Sequence, residues 1–219
     1  AVDTPLYKLY LFKRTAQYYE LSQAGWAQLS AEILSQQRAL GVRDLFNAEM
    51  AWSNEHYEFF GVEFYPSLEA ARNYTHCLQK LGYYRYVTGD SFLGLPMDNT
   101  YPDFSIEPPT RSENQVYRVY LAHQTSYARQ MPSDETEKRF GLAADAFKSA
   151  GGTVMLNAYM RWNFEGYEYF GIERYPDLEA VIGYTQLLSS NGWYDLMASR
   201  SYLGTAYGGL IAGMKAELS

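Results

Sequence analysis

Apolar and polar positions alternate in a few distinct rhythms along the chain. Tyr7 to Lys13 and Tyr117 to His123 are short runs dense in Tyr, Leu, Phe and Val, of strand length. After the first run, Trp26, Leu29, Ile33 and Leu40 recur at helical spacing, and Gly41 stops the helix. After the second, Pro132-Ser133-Asp134-Glu135 is a helix start with Ser133 as N-cap. Phe140, Ala143, Ala144 and Phe147 continue that helix and Gly151-Gly152 ends it. Asp44 to Trp52 and Tyr57 to Tyr65 predict two strands joined by the polar turn Ser53-Asn54-Glu55-His56, a hairpin spacing. Pro66 breaks the second strand, and Ser67 and its later counterpart Asp177 are both good N-caps. Leu68, Ala71, Thr75 and Leu78 then predict one helical face, matched by Leu178, Val181, Thr185 and Leu188. Gly82 and Gly192 end these helices, and a last strand begins at Tyr83-Tyr84 or Trp193-Tyr194.

The rhythm occurs twice because the chain is duplicated. WSNEHYEFFGVEFYPSLEA from Trp52 returns as WNFEGYEYFGIERYPDLEA from Trp162, an offset of 110 residues. Without a gap, 28 of the 91 pairs from Tyr7 to Met97 are identical, which chance does not sustain in one register. Each copy therefore reads β-α-β-β-α-β, the ferredoxin-like split unit of an α+β protein. The predicted organisation is repeat 1 at 5–97, a linker at 98–115 rich in Pro, Asp, Asn and Ser, repeat 2 at 116–207 and a tail at 208–219. Within the tail, Leu210 to Leu218 reads as a short helix.

The run Val62-Glu63-Phe64-Tyr65-Pro66-Ser67-Leu68-Glu69-Ala70-Ala71, and its copy, resembles the strand-to-helix junction of the dimeric α/β-barrel superfamily. The resemblance covers both repeats. It implies ferredoxin-like units paired sheet to sheet with a ligand between them, the two halves pairing either with each other or with a second chain. The superfamily includes cofactor-independent monooxygenases, isomerases, polyketide cyclases and lyases. It also includes haem proteins such as the chlorite dismutase-like and dye-decolourising peroxidase groups. No subfamily motif matches, so no catalytic residue carries over.

Strand parity proposes a site. Phe46, Ala48 and Met50, with Leu156, Ala158 and Met160, form an apolar set that should pack under the helices, joined by Phe60, Val62, Phe170 and Ile172. The opposite faces should then line the space between the sheets. They present Asn47, Glu49, Tyr57 and Glu63 from repeat 1 and Asn157, Tyr159, Arg161, Tyr167 and Glu173 from repeat 2. The first strands add Tyr10 and Tyr120. Glu63 and Glu173 read either as general bases or as partners of Arg161. Tyr57 and Tyr167 read either as donors to a developing oxyanion or as interface packing. Asn47, Glu49, Asn157, Tyr159 and Arg161 read as ligand-binding, and Trp52 and Trp162 as core covers.

Composition narrows the function classes. With 18 Lys+Arg against 25 Asp+Glu the formal charge is -7, and no basic stripe exists to hold nucleic acid. No apolar run reaches a membrane span. A single cysteine, Cys77, excludes a disulfide framework and a cysteine-rich metal site. Glu55-His56-Tyr57-Glu58 has candidate metal ligands, but Gly166 replaces His56 in the copy, so the cluster reads as a solvated turn. His76 on a helix is a candidate haem ligand, with Gln186 at its position in repeat 2, and reads instead as a surface residue. No metal or cofactor is expected. The N-terminus lacks a signal-peptide pattern, which predicts either a cytoplasmic protein or the mature form of an exported one. Two functions remain: a cofactor-independent enzyme acting on an aromatic or apolar small molecule, and a non-catalytic ligand-binding or scaffold subunit. The second draws on 22 Tyr, a residue enriched at protein interfaces, and anticipates a homo-oligomer or larger assembly.

Overall fold

The computed structural model describes residues 4–97 and 114–206. Most of the linker and the proposed C-terminal helix lie outside these residues. Repeat 1 runs β1 (Leu6–Arg14), α1 (Ala16–Glu20), α2 (Gln23–Leu40), β2 (Arg43–Glu49), β3 (Phe59–Tyr65), α3 (Leu68–Lys80) and β4 (Val87–Pro96). Repeat 2 runs β5 (Val116–Gln124), α4 (Ser126–Gln130), α5 (Ser133–Ser149), β6 (Thr153–Tyr159), β7 (Tyr169–Tyr175), α6 (Leu178–Ser190), α7 (Trp193–Leu196) and β8 (Met197–Ala206). All four strands of one copy return in the other at an offset of 110. Ser67 and Asp177 cap α3 and α6 as their chemistry predicts, accepting from the backbone N–H of Ala70 at 3.1 Å and of Ala180 at 2.8 Å. Several features differ from expectation. Tyr83–Arg85 and Trp193–Leu196 are helical turns, so the last strands begin at Val87 and Met197, and Pro132 takes the N-cap position of α5 in place of Ser133. The hairpin strands are shorter and their connection longer, and the buried face of α3 is Ala70, Tyr74 and Leu78 while Leu68 is exposed.

The eight strands close into one barrel in the order β1-β3-β2-β8-β5-β7-β6-β4, with β4 also paired to β1. The seams between repeats are short and twofold-related: Ala48↔Ala206 with Glu49↔Thr205, and Ala158↔Pro96 with Tyr159↔Leu95. Most of the hold between repeats comes from side chains. Tyr7, Leu9, Leu11, Phe46, Ala48, Met50, Phe60 and Val62 join Tyr117, Val119, Leu121, Leu156, Ala158, Met160, Phe170 and Ile172 in one buried apolar cluster inside the barrel. Every strand contributes alternate residues to it or to the helix side.

This inverts the predicted faces. The apolar set packs between the sheets, not under the helices, and of the polar set Asn47, Glu63, Asn157 and Glu173 face the helices while Tyr57 and Tyr167 stay on the barrel side. Parity tells which residues share a face, not which face points inward. An interior walled on all sides by strands offers a polar group no route to water, so the wholly apolar set belongs there. The helix layer covers each sheet less completely and leaves room for hydroxyls, amides and carboxylates.

Candidate functional site

The space between sheet and helices differs between the two copies. In repeat 1 it is filled by Phe12, Tyr18, Trp26 and Ile33, all at or below 5% exposure, with the Phe12 ring stacked on Phe59 at 5.2 Å. At the same four positions repeat 2 has Ala122, Ala128, Thr136 and Ala143. The result is a cavity of 470 Å³, lined by side chains of β5, β6, β7 and β8 beneath and of α5, α6 and α7 above. Phe140, Phe147, Leu188, Trp193 and Met197 give it apolar and aromatic walls, with Phe140 set edge-on to Trp193 at 5.0 Å. A smaller space of 330 Å³ persists in repeat 1 beside Tyr10, Glu63 and Tyr83.

The polar floor of the larger cavity is built by the sheet. Arg118 on β5 and Glu173 on β7 are register partners. Arg118 donates to Glu173 Oε2 from Nε at 3.1 Å and from Nη2 at 2.8 Å, and the Tyr175 hydroxyl donates to the same oxygen. The guanidinium also lies over the rings of Tyr184 and Tyr175 at 5.6 and 5.9 Å. Burial works against the Arg118 charge, and the Glu173 carboxylate more than offsets this, so Arg118 is held above its usual value. Next to this pair, Tyr120 donates to Asn157 Oδ1 at 3.3 Å. It reaches Asn157 by crossing Gly171, where a Cβ would sit 2.3 Å from the Tyr120 hydroxyl. A β-bulge at Val154–Leu156 turns both Val154 and Asn157 into the cavity. Burial first, and then the Glu173 charge, push the phenols of Tyr120 and Tyr184 up. Burial and Glu168 do the same for Tyr169.

Of the candidate residues, Asn157 and Glu173 line this cavity and Glu63 lines the smaller one. Asn47, Tyr10 and Asp44 form a network in repeat 1: Tyr10 donates to Asn47 Oδ1 at 2.6 Å and Asn47 Nδ2 to Asp44 Oδ2 at 2.9 Å. Tyr57 and Tyr167 pack on the barrel cluster instead. Tyr57 donates to Asp90 and is pushed up to about 12 by burial and that carboxylate, while Tyr167 stacks on Phe164. Glu49 and Tyr159 sit at the seams. The expected pairing of Arg161 with Glu63 or Glu173 is replaced by Arg161 Nη2 on Glu168 Oε1 at 3.2 Å. Trp52 and Trp162 are about half exposed, at 49% and 46%, and cover no core. Sequence reasoning missed Arg118, Phe140, Trp193 and Ser201 as lining residues. The available signal was the bulky-to-small change at four positions of the 110-residue alignment.

Two four-stranded sheets closed into one barrel with helices outside give the dimeric α/β-barrel fold, with a duplicated chain supplying both halves. No protein-family model matches the chain, and no curated protein does. Solved structures do, chlorite dismutases among them. A mutant enzyme from Candidatus Nitrospira defluvii matches with a TM-score of 0.76 at 9% identity, over 100% of this chain and 97% of that one. The same organism's chlorite dismutase in complex with imidazole gives 0.75 at 9%, over 100% and 96%. A mutant in complex with cyanide gives 0.74 at 10%, over 100% and 96%. At such identities the likeness is one of fold.

The resemblance to a superfamily with haem-binding groups raises the question whether this cavity fits haem. Haem iron needs an axial imidazole, thiolate, thioether or phenolate. His56 and His76 are exposed, and His123 points to the barrel side of β5, where it lies 5.6 Å from Tyr167. Cys77 is on α3 and donates to Gln36. The cavity therefore presents only thioethers and phenols. The shifted phenols hold their protons against the deprotonation that ligation requires. These residues do not fit a haem held by imidazole or thiolate.

Proposed function

We propose that this protein binds a small organic molecule with an apolar, partly aromatic body in the sheet–helix cavity of repeat 2. The observation that carries the reading is the uneven hollowing: Phe12, Trp26 and Ile33 narrow this space to 330 Å³ in one copy, and the small residues at the same positions open it to 470 Å³ in the other. An unused cavity is a stability deficit, because lost contacts are not recovered, and a small-molecule site is concave with a few convergent polar groups. A saturable, single-site fluorescence increase with a neutral aromatic dye such as Nile red is expected. It should disappear when Ala122→Phe and Ala143→Ile restore the plug of repeat 1. An undiminished signal in that double variant would rule the site out.

A second reading, catalysis without a cofactor, is favoured by Glu173, a carboxylate facing the cavity. Against it, Oε2 already accepts three bonds, and the neighbouring phenols are poor acids. Holding a ligand is thus the better supported role, with the dimeric α/β-barrel enzymes as the structural background. Glu173→Gln separates the two once a ligand is in hand: turnover lost with binding kept supports catalysis.

A further inference from the structure

The charge of the cavity limits what it takes. Among the described residues lining it, Arg118 and Glu173 are the only charged ones. They neutralise each other through two hydrogen bonds to one oxygen. The side chains are 14% and 11% exposed, so water screens the pair little. The other polar groups are neutral: Asn157, Gln124, Ser199, Ser201 and phenols. An anionic ligand would bring a second negative charge beside Glu173, and a cationic one a second positive charge beside Arg118. Either would leave one buried charge without a partner, which is strongly unfavourable. A neutral group with a donor and an acceptor edge meets no such penalty. It can accept from a guanidinium N–H outside the ion pair and donate to Glu173 Oε1, which lies outside the three bonds at Oε2.

We propose that the cavity selects neutral ligands whose polar end both donates and accepts, such as a primary amide, a lactam or an azole ring bearing an N–H on an aromatic body, and rejects the matching carboxylates and amines. Glu173 is then a specificity-determining residue: it cancels Arg118 and so excludes anions. This inference rests on the reading of the cavity as a ligand site.

The test uses the full chain at neutral pH and three probes with one apolar body: 2-naphthamide, 2-naphthoate and 2-naphthylmethylammonium, measured by displacement of Nile red. The expected result is at least tenfold tighter binding of the amide than of either ion. Glu173→Gln should raise naphthoate affinity at least tenfold relative to the amide, and Arg118→Gln should do the same for the ammonium probe. The double variant Arg118→Gln/Glu173→Gln leaves no charge unpaired and should keep the amide preference, so a single variant that fails to fold does not block the test. Equal binding of amide and naphthoate by the unaltered protein overturns the inference and leaves the site standing. So does a head-group preference that folded single variants do not change, or a protein that takes Nile red and none of the three. Failure to bind even Nile red removes the site reading, and this inference with it.

Discussion

At the scale of single residues, glycine decides how the polar floor is made. Gly61 and Gly171 sit opposite Tyr10 and Tyr120, and each lets a phenol lie across the neighbouring strand to reach an asparagine. A methyl group at Gly171 would displace Tyr120 from Asn157. Gly171→Ala should destabilise the protein by about 1–3 kcal/mol, read as a lower urea midpoint with unchanged slope, and weaken ligand binding. An unchanged midpoint would contradict the crossing geometry. The plug residues predict an opposite pair of effects. Phe12→Ala should cost about 3–5 kcal/mol, since it empties a filled site, and leave dye binding in repeat 2 intact. These residues were present in the sequence alignment but not interpretable from one copy alone. An alanine on a helix reads as a good helix former until its partner position is known to hold isoleucine.

At the scale of elements, the order of the strands and long helices was legible, because periodicity and caps are local. The strand ends near the hairpin were not. Met50 and Met160 leave the ladder, bonding through their N–H groups to Glu58 O and Glu168 O. The connection is then fixed by a carboxylate in each copy. Glu58 binds Arg14, and Glu168 binds Arg129 at 2.7 Å, Arg161 at 3.2 Å and the Gln124 N–H at 3.4 Å. Burial works to raise the Glu168 carboxyl, and these partners more than offset it, so it lies below its usual 4.5. A lowered folded value stabilises the protein above the unfolded value, and that stabilisation is lost as pH falls through the folded one. Glu168→Gln should therefore lower stability at pH 6 and flatten its decline below about pH 4.5. Urea midpoints from pH 6 to pH 3 check this; parallel curves would remove Glu168 from the acid response.

At the scale of the whole molecule, the duplication and α+β class were legible. Closure of one copy on the other was not, since the same sheet faces could equally pair with a second chain. The inward face was not, because both sides of each sheet are largely apolar and the choice depends on how completely each side is shut from water. One consequence is thermodynamic. The barrel cluster takes side chains from both repeats, so neither can lose its strands while the other keeps its core. Heating should give one transition, coincident by calorimetry, far-UV circular dichroism and tryptophan fluorescence. Two resolved transitions would show the repeats unfolding independently. None of the described helices is long and apolar enough to cross a membrane.

The separation of the apolar barrel interior from the hollow helix side also bears on how such a protein can change over generations. What holds the strands together and what a ligand meets are written in alternate residues of the same strands. Selection can remodel one register while the other keeps the fold. A variant library scored for abundance alone should find Leu9, Phe60, Leu156 and Phe170 intolerant, and Ala122, Ala143, Ser199 and Ser201 permissive. A site built on the helix side would thus be free to drift toward new small molecules at little risk to the barrel.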